Sequence, residues 1–339
     1  MADLPNDLRR ALEDRLAAES TDAVRAAVGR LMDAYRSPSG AAGGPASRPS
    51  GPILSRPADV AAYAAYRMPA TYAATRAVFA ALPGLRPTSM VDVGGGTGAA
   101  AWAATTAYES LANVTVLDSV DGALRLGAEL ARSAKSDALR GATWQRVLLP
   151  AEITAADLVT VSYVIGELDD ADRTNVVERA AAAGGVVVVV EPGTPAGYAR
   201  IIAARDRLLA LGHTVLAPCP HDDACPLAAG DWCHFGARVN RTALHRRIKG
   251  ADLPYEDEKY AYVATTPSTR AAADVGVGAD CDGQSRHARV IRRPSTRKGL
   301  VTLRLCRPDG TASDRNVTKR EPALYRRARD TSWGDAFPP

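Results

Sequence analysis

Phenylalanine occurs three times, methionine and tryptophan four times each, and cysteine five times in the 339 residues. With so few aromatics, a core has to be assembled mainly from Ala, Val and Leu. No apolar run approaches the roughly 20 residues of a membrane-spanning helix, so a helical membrane protein is not expected. The start, Met1-Ala2-Asp3-Leu4-Pro5, lacks the basic-then-apolar layout of a secretory signal, and a cytoplasmic chain is expected. Thiols stay reduced in that compartment, which points clustered cysteines toward ligation and away from disulfides.

Charge is ample in both signs, with a net of only +4, but it is unevenly placed. From Arg286 to Arg329 there are fourteen Lys/Arg against Asp309, Asp314 and Glu321, an excess of +11 that leaves about −7 for the remainder. A basic appendage on an acidic body suits a nucleic-acid partner, and a merely solvated basic face is the alternative. Arg292, Arg293, Arg297 and Lys298 are the candidate phosphate contacts.

Leu4, Leu8, Leu12 and Leu16 at four-residue spacing predict an N-terminal helical segment within 1–36. The stretch 37–57, with five prolines and four glycines, reads as a linker. A helical lead-in occupies 58–88, with the helix itself from about Asp59 to Leu82. Strands alternating with helices then predict a doubly wound, mostly parallel α/β sheet over 89–268. Its strands are expected at Met90–Val93, Val114–Leu117, Ala142–Val147, Leu158–Tyr163, Gly185–Glu191 and Tyr260–Ala264, with a helix from Asp170 to Ala183. A Cys-rich insertion at about 213–240, a linker at 269–285 and a basic, β-containing extension at 286–339 complete the layout. That extension shows two strand-like runs, Ala288–Ile291 and Leu300–Leu305.

Val91-Asp92-Val93-Gly94-Gly95-Gly96-Thr97-Gly98 has acidic-x-Gly-x-Gly-x-Gly spacing between a strand and a helix. Glycines there let the backbone turn sharply and approach a ligand, and Asp118 at the end of the next strand is placed to accept ribose hydroxyls. S-adenosylmethionine and dinucleotides are both bound by such loops. Asp92 favours the first, because a pyrophosphate would avoid an adjacent anion; a turn without a ligand is the third reading. The run Ser162–Leu168 lacks the Asn/Asp-Pro-Pro-aromatic signature of exocyclic-amine methylation and the Pro-Cys nucleophile of cytosine C5 methylation. Tyr163 and Glu167 either touch an acceptor or pack and cap the next helix, and no catalytic residue is assigned.

Cys219, Cys225 and Cys233 lie close together, with Cys306 far downstream. None forms the Cys-x-x-Cys knuckle that structural zinc sites favour. Dispersed single cysteines suit an iron–sulfur cluster. His221 and His234 keep zinc open as Cys2His2 or Cys3His, and unligated buried thiols are the remaining reading. Cys281, in a polar Gly/Asp loop, competes with Cys306 as the fourth ligand.

Taken together, Val91–Gly98, Ser162–Leu168, Glu191-Pro192-Gly193-Thr194-Pro195, Pro218–Phe235, Arg289–Cys306 and Trp333-Gly334-Asp335 resemble the mitochondrial small-ribosomal-subunit methyltransferase-like family and its bacterial relatives. The resemblance covers about 60–337, and its cysteine segment is the most specific part. It implies a class I S-adenosylmethionine methyltransferase fold and association with the small ribosomal subunit or its RNA. It also implies a [4Fe-4S] cluster on Cys219, Cys225, Cys233 and Cys306, and a cofactor loop at Asp92, Gly94, Gly96 and Gly98. The absence of an import signal favours a bacterial, cytoplasmic member. Three functions follow as expectations: a methyltransferase acting on small-subunit RNA, an assembly factor that uses the cluster as a staple or iron sensor, and a methyltransferase for a protein or small molecule.

Overall fold

A computed structural model describes residues 4–17, 22, 24, 26, 27, 29, 57–240, 253, 255–269 and 287–338. The predicted linkers at 37–57 and 269–285 fall outside these residues except at Pro57 and Thr269, and Cys281 lies outside them. Eight strands form the main sheet: β1 Ser89–Val93, β2 Asn113–Asp118, β3 Thr143–Arg146, β4 Ala156–Ser162, β5 Gly184–Pro192, β6 His213–Ala217, β7 Phe235–Asn240 and β8 Tyr255–Pro267. Their order is β3-β2-β1-β4-β5-β8-β6, with β7 on β8. The first five pair in parallel, and β8 runs antiparallel against β5, β6 and β7. This is a Rossmann-like, mostly parallel sheet, as the alternating pattern predicts.

The run of five valines in β5 shows why a parallel strand can be apolar throughout. Val186, Val188 and Val190 face one side, while Val187 and Val189 face the other, and all five are fully buried. The first side is covered by α1 Asn6–Ala17, α2 Pro57–Ala80, α3 Ala99–Ala107, α4 Asp121–Ala131 and α5 Asp137–Arg140. On the second side lie α6 Asp170–Ala183 and α7 Pro195–Ala210. Asp169 caps α6 by accepting the Asp172 N–H at 2.9 Å, and Thr194 caps α7 through the Gly197 N–H at 3.1 Å. Pro69 lies inside α2 despite its missing N–H, on a helix that buries Met68, Ala70 and Tyr72 around it.

The cysteine insertion is shorter than its predicted span of 213–240. Residues 213–217 and 235–240 are strands β6 and β7, so only 218–234 loops out of the sheet. Buried residues alternate with more exposed ones along both, as in strands with one face on a core.

The extension is also richer than its two predicted strands. It contains β9 Ala288–Val290, β10 Ser295–Arg297, β11 Leu300–Cys306, β12 Ala312–Thr318, α8 Pro322–Asp330 and β13 Ala336–Phe337. Val301, Leu303 and Leu305 alternate inward along β11 and meet Val290, Val317, Ala328 and Phe337 in a separate core. Contacts to both ends of the cysteine loop bind this unit to the main domain. Trp333 stands edge-on to His234 with ring centroids 5.0 Å apart, and the Arg289 Nε donates to the Pro218 carbonyl at 3.0 Å.

Candidate cofactor loop and cysteine cavity

The glycine loop leaves β1 at the carboxyl edge of the sheet. Gly94, Gly96 and Gly98 have φ of 66°, 55° and 81°, the left-handed region that glycine enters freely. Space demands glycine as well: a Cβ at Gly94 would stand 2.2 Å from Val164 Cγ2, and one at Gly98 would stand 2.6 Å from Trp144 Cη2. Trp144 of β3 also closes on Gly127, a packing role that sequence patterning did not mark.

Asp118, at the end of β2, pins the loop. Its Oδ2 accepts the Gly96 N–H and its Oδ1 the Val120 N–H, both at 2.8 Å. Each carboxylate oxygen has two lone pairs, so Asp118 keeps capacity for ligand hydroxyls. Asp92 is fully buried; its Oδ1 accepts from the Thr160 hydroxyl at 2.7 Å, whereas Oδ2 has no partner. Burial, opposed by the Thr160 hydrogen bond and reinforced by the charge of Asp118, pushes this carboxyl up to about 7.

Glu167 lies on a 3-10 turn after β4 and does not cap α6, whose cap is Asp169. Desolvation, then the charges of Asp118 and Glu191, pushes its carboxyl up to about 7, although its solvent-facing position screens that push. Glu191 is 1% exposed, pairs with Arg200 at 2.7 Å and leaves its Oε1 unpartnered. Tyr163 has φ 61°, and its hydroxyl donates to Glu258 Oε1 at 3.1 Å. Four acidic side chains, Asp92, Asp118, Glu167 and Glu191, thus gather at the ends of β1, β2, β4 and β5; Arg200 pairs with one of them, and a bound cation would favour the ionised form of the others.

Cys219, Cys225 and Cys233 from the 218–234 loop and Cys306 from the end of β11 line one cavity. Its other walls include Tyr198 and Arg205 of α7, Tyr262 of β8 and Arg289 of β9. Neither His221 nor His234 lines it: the His221 Nε2 is 3.3 Å from Cys306 Sγ, and His234 stacks on Trp232 at 5.4 Å. Arg205 is 1% exposed, its Nη2 donates to the carbonyls of His221 and Asp223 at 3.2 and 2.6 Å, and its Nε has no partner. Burial and the neighbouring thiols raise the Cys306 thiol to about 12 and hold Cys233 well above its usual value. Burial also raises Cys219, where the Arg205 cation pulls the other way.

Four thiolates on one zinc, each about 2.3 Å from the metal, would stand within about 4 Å of one another. Among the described residues, no group of three or more His, Cys, Asp or Glu is arranged to hold a metal ion. The donor set nevertheless fits a larger group. All four cysteines line one largely apolar space, and the buried Arg205 and half-buried Arg289 stand at its wall, where they would offset the charge of thiolates.

The candidate phosphate contacts separate. Arg292 is tied to Asp231 and to its own neighbour, the Ile291 carbonyl, so it joins the extension to the cysteine loop. Arg293, Arg297 and Lys298 are exposed. The β10–β11 turn and the end of β12 also bring Lys319 and Arg320 near Arg297 and Lys298; the register pairs Arg297 with Leu300 and Leu300 with Thr318.

A family model described as Mitochondrial small ribosomal subunit Rsm22 matches residues 57–338. The mitochondrial ribosome assembly protein METTL17 of Homo sapiens is 28% identical over 297 residues, covering 81% of this chain and 62% of the human protein. Mitochondrial Rsm22-cox11 tandem protein 2 of Schizosaccharomyces pombe is 28% identical over 191 residues, 46% of this chain and 25% of that protein. The chain therefore spans less than two thirds of the length of these relatives. Among solved structures, magnesium protoporphyrin IX methyltransferase of Synechocystis PCC 6803 with bound SAH shares 12% identity at a TM-score of 0.38, over 59% of this chain and 84% of that one. A likeness that distant carries no argument of its own. The family match extends through the sheet, the cysteine loop and the basic extension, and the chain belongs to the Rsm22 family.

Proposed function

We propose that this chain is an S-adenosylmethionine-binding, methyltransferase-like assembly factor of the small ribosomal subunit, and that its cysteine cavity holds a [4Fe-4S] cluster. The observation that carries the reading is the meeting of Cys306 with Cys219, Cys225 and Cys233 in one cavity. These residues come from two units with separate hydrophobic cores, so a group bound by all four would fasten the basic extension to the main sheet. Ligand binding of this kind is folding energy for the surface it organises. The family description and the human relative's name, ribosome assembly protein, support the partner.

For the cofactor, Asp92, Gly94, Gly96 and Gly98 form the loop and Asp118 is the ribose acceptor. The acidic rim favours a ligand bearing a sulfonium and an ammonium, whose charges would hold its carboxyls ionised, over a dinucleotide. Such a sulfonium is already activated, so methyl transfer needs mainly in-line positioning. The Tyr163 hydroxyl is already engaged by Glu258, and no base is assigned on the acceptor side. Assembly is therefore placed first, and methylation of small-subunit RNA second. The exposed cations Arg293, Arg297 and Lys298, joined by Lys319 and Arg320, are the proposed phosphate contacts, with Arg292 removed from the set.

The test is complementation of cells that lack the chain, read as mature small subunits on sucrose gradients. Cys225→Ser is expected to fail and Asp92→Ala to restore maturation. Failure of Asp92→Ala in folded protein, together with a missing methyl mark on the RNA, would reverse the order of the two readings. Full rescue by Cys225→Ser would remove the cluster from the function.

A further inference from the structure

One face of α7 is built toward the cysteine cavity. Tyr198, Ile201, Ile202 and Arg205 fall at the i, i+3, i+4 and i+7 positions of a helical stripe, and all four line it. The two polar members are unlike the apolar lining around them. The Tyr198 hydroxyl donates to Cys225 Sγ at 3.1 Å. Arg205 is almost fully buried, its Nη2 is fixed by two carbonyls of the cysteine loop, its Nη1 donates to the exposed Asp206 carboxylate at 3.1 Å, and its Nε–H lacks an acceptor. A buried, incompletely paired guanidinium costs free energy unless something in the site answers it. Four thiolates outweigh the positive charge of an iron–sulfur core, so the loaded cavity would be anionic and would supply that answer.

We propose that α7 furnishes the outer shell of the cavity's bound cluster. Tyr198 is a hydrogen-bond donor to the Cys225 thiolate, and Arg205 is the buried counter-cation that holds the cluster in place. This rests on the cluster reading above and deepens it. Hydrogen bonds to ligand sulfurs and charges beside them are the means by which a protein tunes and retains such groups. Neither residue is a ligand, and both act through the thiolates as positioning residues.

The experiment uses the full chain purified without oxygen, with iron and sulfide measured first. Tyr198→Phe deletes only the hydroxyl, so full iron and sulfide are expected. Resonance Raman spectra of the wild type should show an iron–thiolate stretching band that shifts in D2O, and the variant should lose that shift. For Arg205, iron release to a chelator is followed in variants whose circular dichroism matches the wild type. Arg205→Met should release iron at least tenfold faster, and Arg205→Lys, which keeps the charge, should recover most of the difference. Equal iron in all proteins with identical spectra and release rates would overturn the outer-shell assignment and leave the cluster standing. A wild-type chain without iron would overturn the cluster reading itself, and this assignment with it.

Discussion

Asp92 places an ionisable carboxyl in the fully buried floor of the cofactor loop, with one oxygen unpartnered. Its folded-state pKa of about 7, against an ordinary value of 3.8, means that the fold holds the proton longer than the unfolded chain does. Below pH 3.8 both states are protonated and the site has no effect on stability. As pH rises from there to about 7, the unfolded chain gives up the proton first and the fold loses stability; above about 7 the loss is complete and constant. At about 1.36 kcal/mol per pKa unit the full penalty is roughly 4 kcal/mol. Asp92→Asn keeps the shape and removes the titration. Its stability relative to wild type should therefore rise by roughly 3 kcal/mol between pH 5 and pH 8.5. Any pH-independent effect of the amide cancels in that difference. Urea unfolding at the two pH values, with m values checked for constancy, measures it. A variant whose relative stability is the same at both would refute the buried-carboxyl argument. So would one that gains at the lower pH. The same substitution should weaken S-adenosylmethionine binding, so the carboxylate is retained at a cost in stability.

Gly94→Ala meets both a left-handed φ of 66° and Val164 Cγ2 at 2.2 Å, and should cost about 2–4 kcal/mol in thermal unfolding. Gly212→Ala, at φ 83° with nothing within 4 Å, should cost only the backbone strain of about 1–2 kcal/mol. On the basic extension, the double variant Arg297→Ala/Lys298→Ala should lower the slope of log affinity against log salt for small-subunit RNA by about 1.4–1.8. Arg292→Ala should leave that slope unchanged and instead loosen the junction with Asp231, seen as faster proteolysis of the extension.

Strand and helix positions were legible where the cause is local. The valine run of β5 and the alternation in β11 each predict their element from neighbouring residues alone. The glycine loop was legible for the same reason, because the φ values it needs are properties of single residues. What escaped depends on partners distant in sequence. The spacing of Cys219, Cys225 and Cys233 drew attention to the loop, whereas Cys306 was singled out over Cys281 only through the family resemblance, because its meeting with them requires β11 to end beside the loop. The edge strands β6 and β7 are short and share one long partner, β8, so their residues read as loop until the register is known. Arg292 counts as a free cation in the sequence and becomes half of an ion pair once the loop carrying Asp231 folds over it. The acidic rim likewise draws Asp118, Glu167 and Glu191 from three segments.

The cysteine cavity is the centre of this account, and metal analysis tests it most directly. The full-length chain would be purified without oxygen, and iron, acid-labile sulfide and zinc measured beside a visible absorption spectrum. About four irons and four sulfides per chain are expected. Both should be lost in single Cys219, Cys225, Cys233 or Cys306 to Ser variants and kept in Cys281→Ser. One zinc without iron, or a folded chain with neither metal, would contradict it.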